Sequence, residues 1–183
     1  MRIVVSTNPD RERWLNDLID SIPVQYADKL DVISTRHFEV DAIKQAYQNQ
    51  LPSDDKRFLF LQDSCVIKDY AGLMLHVQSY TTALLIPRPS CYLAVYHVDA
   101  LAQMWWPVIS PDDKEESIRH ETTWMDSYEE VARRTFNIPQ VPVVFPEITD
   151  ARALAENNFI EVHCERRLNL ENDFISKRKG TFR

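Results

Sequence analysis

The stretch that most limits how this chain can fold is Arg57-Phe58-Leu59-Phe60-Leu61-Gln62-Asp63-Ser64-Cys65-Val66-Ile67. Its apolar residues run together without polar alternation, which is the pattern of a strand covered on both faces. Such strands sit in the middle of sheets flanked by helices. In open α/β sheets, ligands bind just beyond the carboxyl ends of the strands. The polar residues Gln62, Asp63 and Ser64 interrupt the run at such a point, so they are the first place to look for chemistry. The structural alternative for Asp63 is a cap or turn as the chain leaves the strand.

The segments on either side fit a sheet of this kind. Residues 2–6 read as a strand that ends at Ser6-Thr7-Asn8-Pro9. A helix follows to Ile22, with Trp14, Leu15, Leu18, Ile19 and Ile22 on one side, and Pro23 ends it. Residues 30–34 read as a strand and 40–47 as a helix. The first 67 residues therefore alternate strand, helix, strand, helix, strand, which predicts a parallel sheet with right-handed crossovers.

The remainder is less regular. A short helix is expected over 70–77, strands over 82–87 and 91–96, and a short helix over 98–104. A long helix is expected over 116–136, with Trp124, Tyr128, Val131, Ala132 and Phe136 on one side. Residues 141–146 read as a strand whose prolines place it at an edge. With no repeat or linker, the pattern predicts one domain over 1–150 and a C-terminal extension over 151–183 that packs on or near the site.

Composition removes several functions. The chain has only two glycines, Gly72 and Gly180, so neither a GxGxxG nor a P-loop is present. The net charge of -7 argues against nonspecific nucleic-acid binding over a broad face. The three cysteines are widely spaced with no CxxC, which fits a reducing cytoplasm and excludes a zinc framework built on them. No apolar run has the roughly 20 residues of a membrane span. The N-terminus reads as a first strand and not as a signal peptide.

Three pieces in order, the Ser6-Thr7-Asn8 turn, the helix with Trp14-Leu15 and Ser21-Ile22, and Phe58 to Ser64, resemble the nucleotide-sugar half of a GT-A glycosyltransferase. The layout is closest to the glycosyltransferase family 2-like type. The tail, Asn169 to Phe182, is similar to those of small bacterial or phage proteins of that type. The resemblance implies a GT-A-like three-layer α/β/α sandwich with a mostly parallel central sheet. It implies transfer of a sugar from a nucleotide-diphosphate sugar, most simply a UDP-sugar, to an acceptor, with inversion and with Mn²⁺ or Mg²⁺ on the diphosphate. Ser6, Thr7 and Asn8 then face the nucleotide, with Gln62 and Ser64 beside it, and Asp63 takes the place of the DxD metal ligand. Here that motif has one carboxylate, and the second strand ends in Ser34-Thr35-Arg36-His37, with none until Glu39.

Other residues follow from the same resemblance. Glu121, with His120 beside it, stands where the family has its general base, near the start of a late helix. A helix-dipole role is the structural alternative for Glu121. His163 stands where a metal-ligating His often occurs, with a metal-free strand end as the alternative, and Trp105 and Trp106 offer flat faces to an acceptor sugar, with core packing as the alternative. Lys177 and Lys179 could hold the diphosphate, with a solvated tail or a docking segment as the alternative. The alternative function is a GT-A-like domain that binds a nucleotide, glycan or protein partner without catalysis. A flavodoxin-like or nucleotidyltransferase-like domain is a third option.

Overall fold

The computed structural model describes residues 1–36, 38–49, 55–85, 93–108, 114–146 and 160–162. In chain order the elements are β1 (Arg2–Thr7), α1 (Glu12–Asp20), β2 (Leu30–Ser34), α2 (Phe38–Asn49), β3 (Arg57–Gln62), β4 (Cys65–Ile67) and α3 (Tyr70–Val77). They continue with β5 (Ala83–Leu84), β6 (Ala94–His97), α4 (Val98–Leu101), α5 (Lys114–Phe136) and β7 (Ile160–Val162). Short 3-10 turns, Pro9–Arg11 and Val24–Lys29, lead into α1 and β2.

The main sheet has five strands in the order β2-β1-β3-β6-β5. β1 pairs in parallel with β2 and with β3, as the alternating pattern predicts. β6 runs antiparallel to both β3 and β5, so four strands point one way and β6 the other.

Strand β3 shows why its sequence lacks alternation. Phe58, Leu59, Phe60 and Leu61 are all buried, but their side chains point to opposite faces. Phe58 and Phe60 join a cluster with Val4 of β1, Val40 and Ile43 of α2, and Trp124 and Tyr128 of α5. Leu59 and Leu61 join a second cluster with Ile3 and Val5 of β1, Leu18 of α1 and Leu73 of α3. Helices therefore cover both faces of the sheet, and each of these four side chains contributes about 1.5–3 kcal/mol through burial.

Two expectations are corrected. Phe58 to Ile67 is not one strand: β3 ends at Gln62, the chain turns at Asp63-Ser64, and β4 pairs antiparallel with β7 in a separate two-stranded sheet. Residues 141–146 form no strand beyond a single bridge, Leu84↔Val143, although Val144 N and Phe145 N donate to the carbonyls of Leu84 and Leu85. Pro142 and Pro146 have no N–H to continue that ladder. The parts of the expected strands over 82–87 and 91–96 that fall on 86–92 lie outside the described residues. Helix α5 ends with Asn137 at φ 51 and the Ile138 N–H on the Arg133 carbonyl, a Schellman closure with Asn in the left-handed position. No helix among the described residues is long and apolar enough to cross a membrane.

The connections fix where a site belongs. From β1 the chain passes through α1 to β2 on one side, and from β2 it returns through α2 to β3 on the other. The order therefore reverses between β1 and β3, and in open α/β sheets ligands bind beyond the carboxyl ends of the strands at such a point.

Candidate functional site

Backbone pairing carries the register one step past the strands. Asp63 N donates to the Ser6 carbonyl at 2.9 Å, and Thr35 N donates to the Thr7 carbonyl at 3.0 Å. The pleat then sorts the polar residues by parity. Thr7 and Asp63 continue the Ile3-Val5 and Leu59-Leu61 series on the α1 side of the sheet. Ser6 and Gln62 continue the Val4 and Phe58-Phe60 series on the α2 and α5 side.

On the α1 side, Asp63 is fully buried. Its Oδ2 accepts the Thr7 hydroxyl at 2.9 Å, and its Oδ1 accepts Arg11 Nη1 at 3.0 Å. Arg11 is the N-cap residue of α1, and its guanidinium also lies over the Trp14 ring, 5.1 Å from the centroid. Ser64 is buried beside Asp63, and Asn8 is half-buried at the end of β1.

On the other side, Gln62 Nε2 donates to Glu39 Oε1 at 3.1 Å, and the Glu39 N–H donates to Glu121 Oε1 at 3.2 Å. All three residues are buried. Glu121 thus reaches from α5 to the first turn of α2, where the helix dipole favours negative charge. A further pair closes the β2 end: Thr35 Oγ1 and Gln45 Nε2 both donate to Asp41 Oδ2 at 2.8 Å.

The structure therefore gathers Ser6, Thr7, Asn8, Gln62, Asp63, Ser64 and Glu121 around one rim. His120, half-buried, precedes Glu121 on α5. The tryptophans divide. Trp106 packs in the core against Tyr47 and Trp124, at centroid distances of 5.9 and 5.3 Å. Trp105 is 45% exposed, with Nε1 on Ser127 Oγ at 3.4 Å. His163, Lys177 and Lys179 lie outside the described residues. The register Cys65↔Val162 nevertheless returns the late chain beside the segment that follows Asp63-Ser64.

The divalent ion implied by the DxD resemblance does not fit this donor set. Both Asp63 oxygens are engaged, one of them by a cation. A divalent ion on the same carboxylate would be repelled by the guanidinium already bound there. Among the described residues no group of three His, Cys, Asp or Glu is arranged to hold a metal.

Arg11 and Glu39 are the site residues that sequence reasoning passed over. Arg11 did leave a signal. A cation at a helix N-terminus opposes the dipole by about 0.3–1 kcal/mol, so its presence asks for a nearby anion.

No protein-family model matches the sequence, and no curated protein matches it. Among solved structures, the chain is similar to residues 1–349 of S. aureus TarS. The identity is 10%, the TM-score is 0.50, and the match covers 97% of this chain and 68% of that one. At that identity the likeness concerns the fold alone: this mixed α/β chain shares its fold with that part of TarS.

Proposed function

We propose that the protein is a cytoplasmic glycosyltransferase with the three-layer GT-A arrangement, moving a sugar from a nucleotide-diphosphate sugar to an acceptor hydroxyl with inversion. The observation that supports this best is the double polar rim at the β1/β3 switch point. It presents Thr7, Asp63 and Arg11 on one side and Gln62, Glu39 and Glu121 on the other. The shared fold with TarS adds to it.

In this reading Ser6, Thr7 and Asn8 face the nucleotide, and Gln62, Asp63 and Ser64 lie at the diphosphate. Glu121, with His120 beside it, takes the proton from the acceptor hydroxyl. The acceptor oxygen then bonds to the anomeric carbon on the face opposite the diphosphate. The bond to the diphosphate breaks, and its electron pair leaves with the phosphate oxygen. Trp105 offers its exposed face to the acceptor, with Trp106 packed behind. The extension over 151–183 brings Lys177 and Lys179 to the leaving diphosphate. No step runs through a metal.

A panel of UDP-, GDP-, dTDP- and CDP-sugars in a thermal-shift assay, followed by a nucleoside-diphosphate release assay, tests this. The expected result is stabilisation by one nucleotide class and release that falls strongly in Glu121→Gln. No stabilisation by any nucleotide sugar would remove the donor-site reading. The burial of Glu121 favours a second reading, a domain that binds such a ligand without turning it over. Stabilisation with no release would select that reading.

A further inference from the structure

We infer that the donor site works without a divalent ion, with Arg11 supplying the positive charge that faces the diphosphate and Asp63 holding Arg11 in place. This rests on reading the rim as a nucleotide-diphosphate site. Asp63 occupies the position where the DxD resemblance implies a metal ligand, at the carboxyl end of β3. The cation it holds is Arg11, 3.0 Å away. The partners differ in exposure: the Asp63 side chain is 1% exposed and that of Arg11 is 17%. The positive partner is therefore the one that reaches solvent at the rim.

Arg11 is also held in position. Asp63 fixes one arm of the guanidinium, the Trp14 ring lies beneath it, and Thr7 fixes the other oxygen of Asp63. A guanidinium is a planar fork that can hold a carboxylate with one arm and a phosphate oxygen with another. A lysine ammonium in the same place would act as a single point charge and match less well. The dipole of α1 works against a cation at its N-cap, so Asp63 is needed to keep Arg11 there even when no ligand is bound. In the transfer step, the negative charge that develops on the leaving diphosphate meets a cation already positioned, and no ion has to bind first.

Isothermal titration of UDP, GDP, dTDP, CDP and ADP into the full chain, once with EDTA and once with MnCl₂, tests the inference. One nucleoside diphosphate is expected to bind with affinities in the two buffers that agree within about threefold. Arg11→Met is expected to weaken binding in EDTA by about tenfold or more, and Arg11→Lys to restore part of the loss. Asp63→Asn, which keeps an oxygen acceptor for Arg11 but removes the charge that holds it, is expected to weaken binding in EDTA by about threefold, less than Arg11→Met does. Circular dichroism confirms that each variant is folded, and Arg11→Lys serves if Arg11→Met is not. Binding that appears only with Mn²⁺, or that Asp63→Asn abolishes while Arg11→Met does not, overturns the inference and leaves the donor-site reading standing. Absence of binding by any of the five in either buffer overturns both.

Discussion

The Asp63–Arg11 pair makes a prediction about stability that depends on which partner is removed. Arg11→Met leaves the Asp63 carboxylate, 1% exposed, with the Thr7 hydroxyl but without its cation. Breaking a buried pair in this way costs about 3–5 kcal/mol. Asp63→Ala leaves Arg11, 17% exposed, whose long stem lets the head move toward water. That loss, together with one charge-assisted hydrogen bond from Thr7, comes to about 2 kcal/mol. Arg11→Met should therefore be the more damaging change, although it removes the more exposed residue. Urea unfolding of the three proteins measures the difference. An Arg11→Met cost below about 1 kcal/mol, or one smaller than that of Asp63→Ala, would refute the reasoning.

Four further outcomes are expected. In wild type, burial lowers the His97 pKa from its ordinary 6.5, and the Arg57 guanidinium, aided by the Met1 amino group, holds Asp55 at about 2 instead of 3.8. Both folded values are depressed, so their stabilisation is present above 6.5 and 3.8 and is lost as pH falls, first through His97 and then, by about 1 kcal/mol after solvent screening, through Asp55; urea melts of wild type and His97→Gln separate the two. The Tyr128 hydroxyl bonds Thr82 and receives the His97 N–H, and burial pushes its pKa up to about 12; Tyr128→Phe should cost about 1–3 kcal/mol by denaturant unfolding. Phe60→Ala, at a fully buried position in β3, should cost about 3–5 kcal/mol in the same assay. Glu121→Ala should cost about 1–3 kcal/mol by stranding the Glu39 N–H, and Glu121→Gln, which keeps an acceptor, should recover most of it.

The parts of the fold that were legible in the sequence are those that local periodicity determines. The Phe58-Leu61 run, the Leu18 and Ile22 side of α1 and the Trp124-Tyr128 side of α5 each declare which surface they bury. The parts that were not legible depend on distant partners. Cys65-Val66-Ile67 looks like a continuation of β3, because an apolar run carries no record of its partner. Its partner, Ile160–Val162, lies nearly a hundred residues further on. The segment with Pro142 and Pro146 lies along β5 as its composition suggests, and its missing N–H groups stop it from forming a full strand. β6 runs antiparallel to β5, the strand before it, and what composition does not tell is that β6 also joins β3.

The same contrast governs the site. Asp63 stands out in the sequence because the end of a buried strand in an α/β sheet is a place where ligands bind. Arg11 and Glu39 were harder to find because their contacts span 52 and 82 residues, to Asp63 and Glu121. Motif logic looks for the carboxylate and not for the cation that already neutralises it. Once β1 and β3 are known to be neighbours, the pleat alone places Thr7 and Asp63 on one side and Ser6 and Gln62 on the other. That parity separates Asp63 and Arg11 from Glu39 and Glu121 by the thickness of the sheet. A ligand that touches both halves must lie across the ends of β1 and β3, because the layers on either side are filled by Leu18 and Leu73 below and by Trp124 and Tyr128 above. The candidate site is therefore a property of where these strands stop, and at its centre Asp63 holds the Arg11 guanidinium.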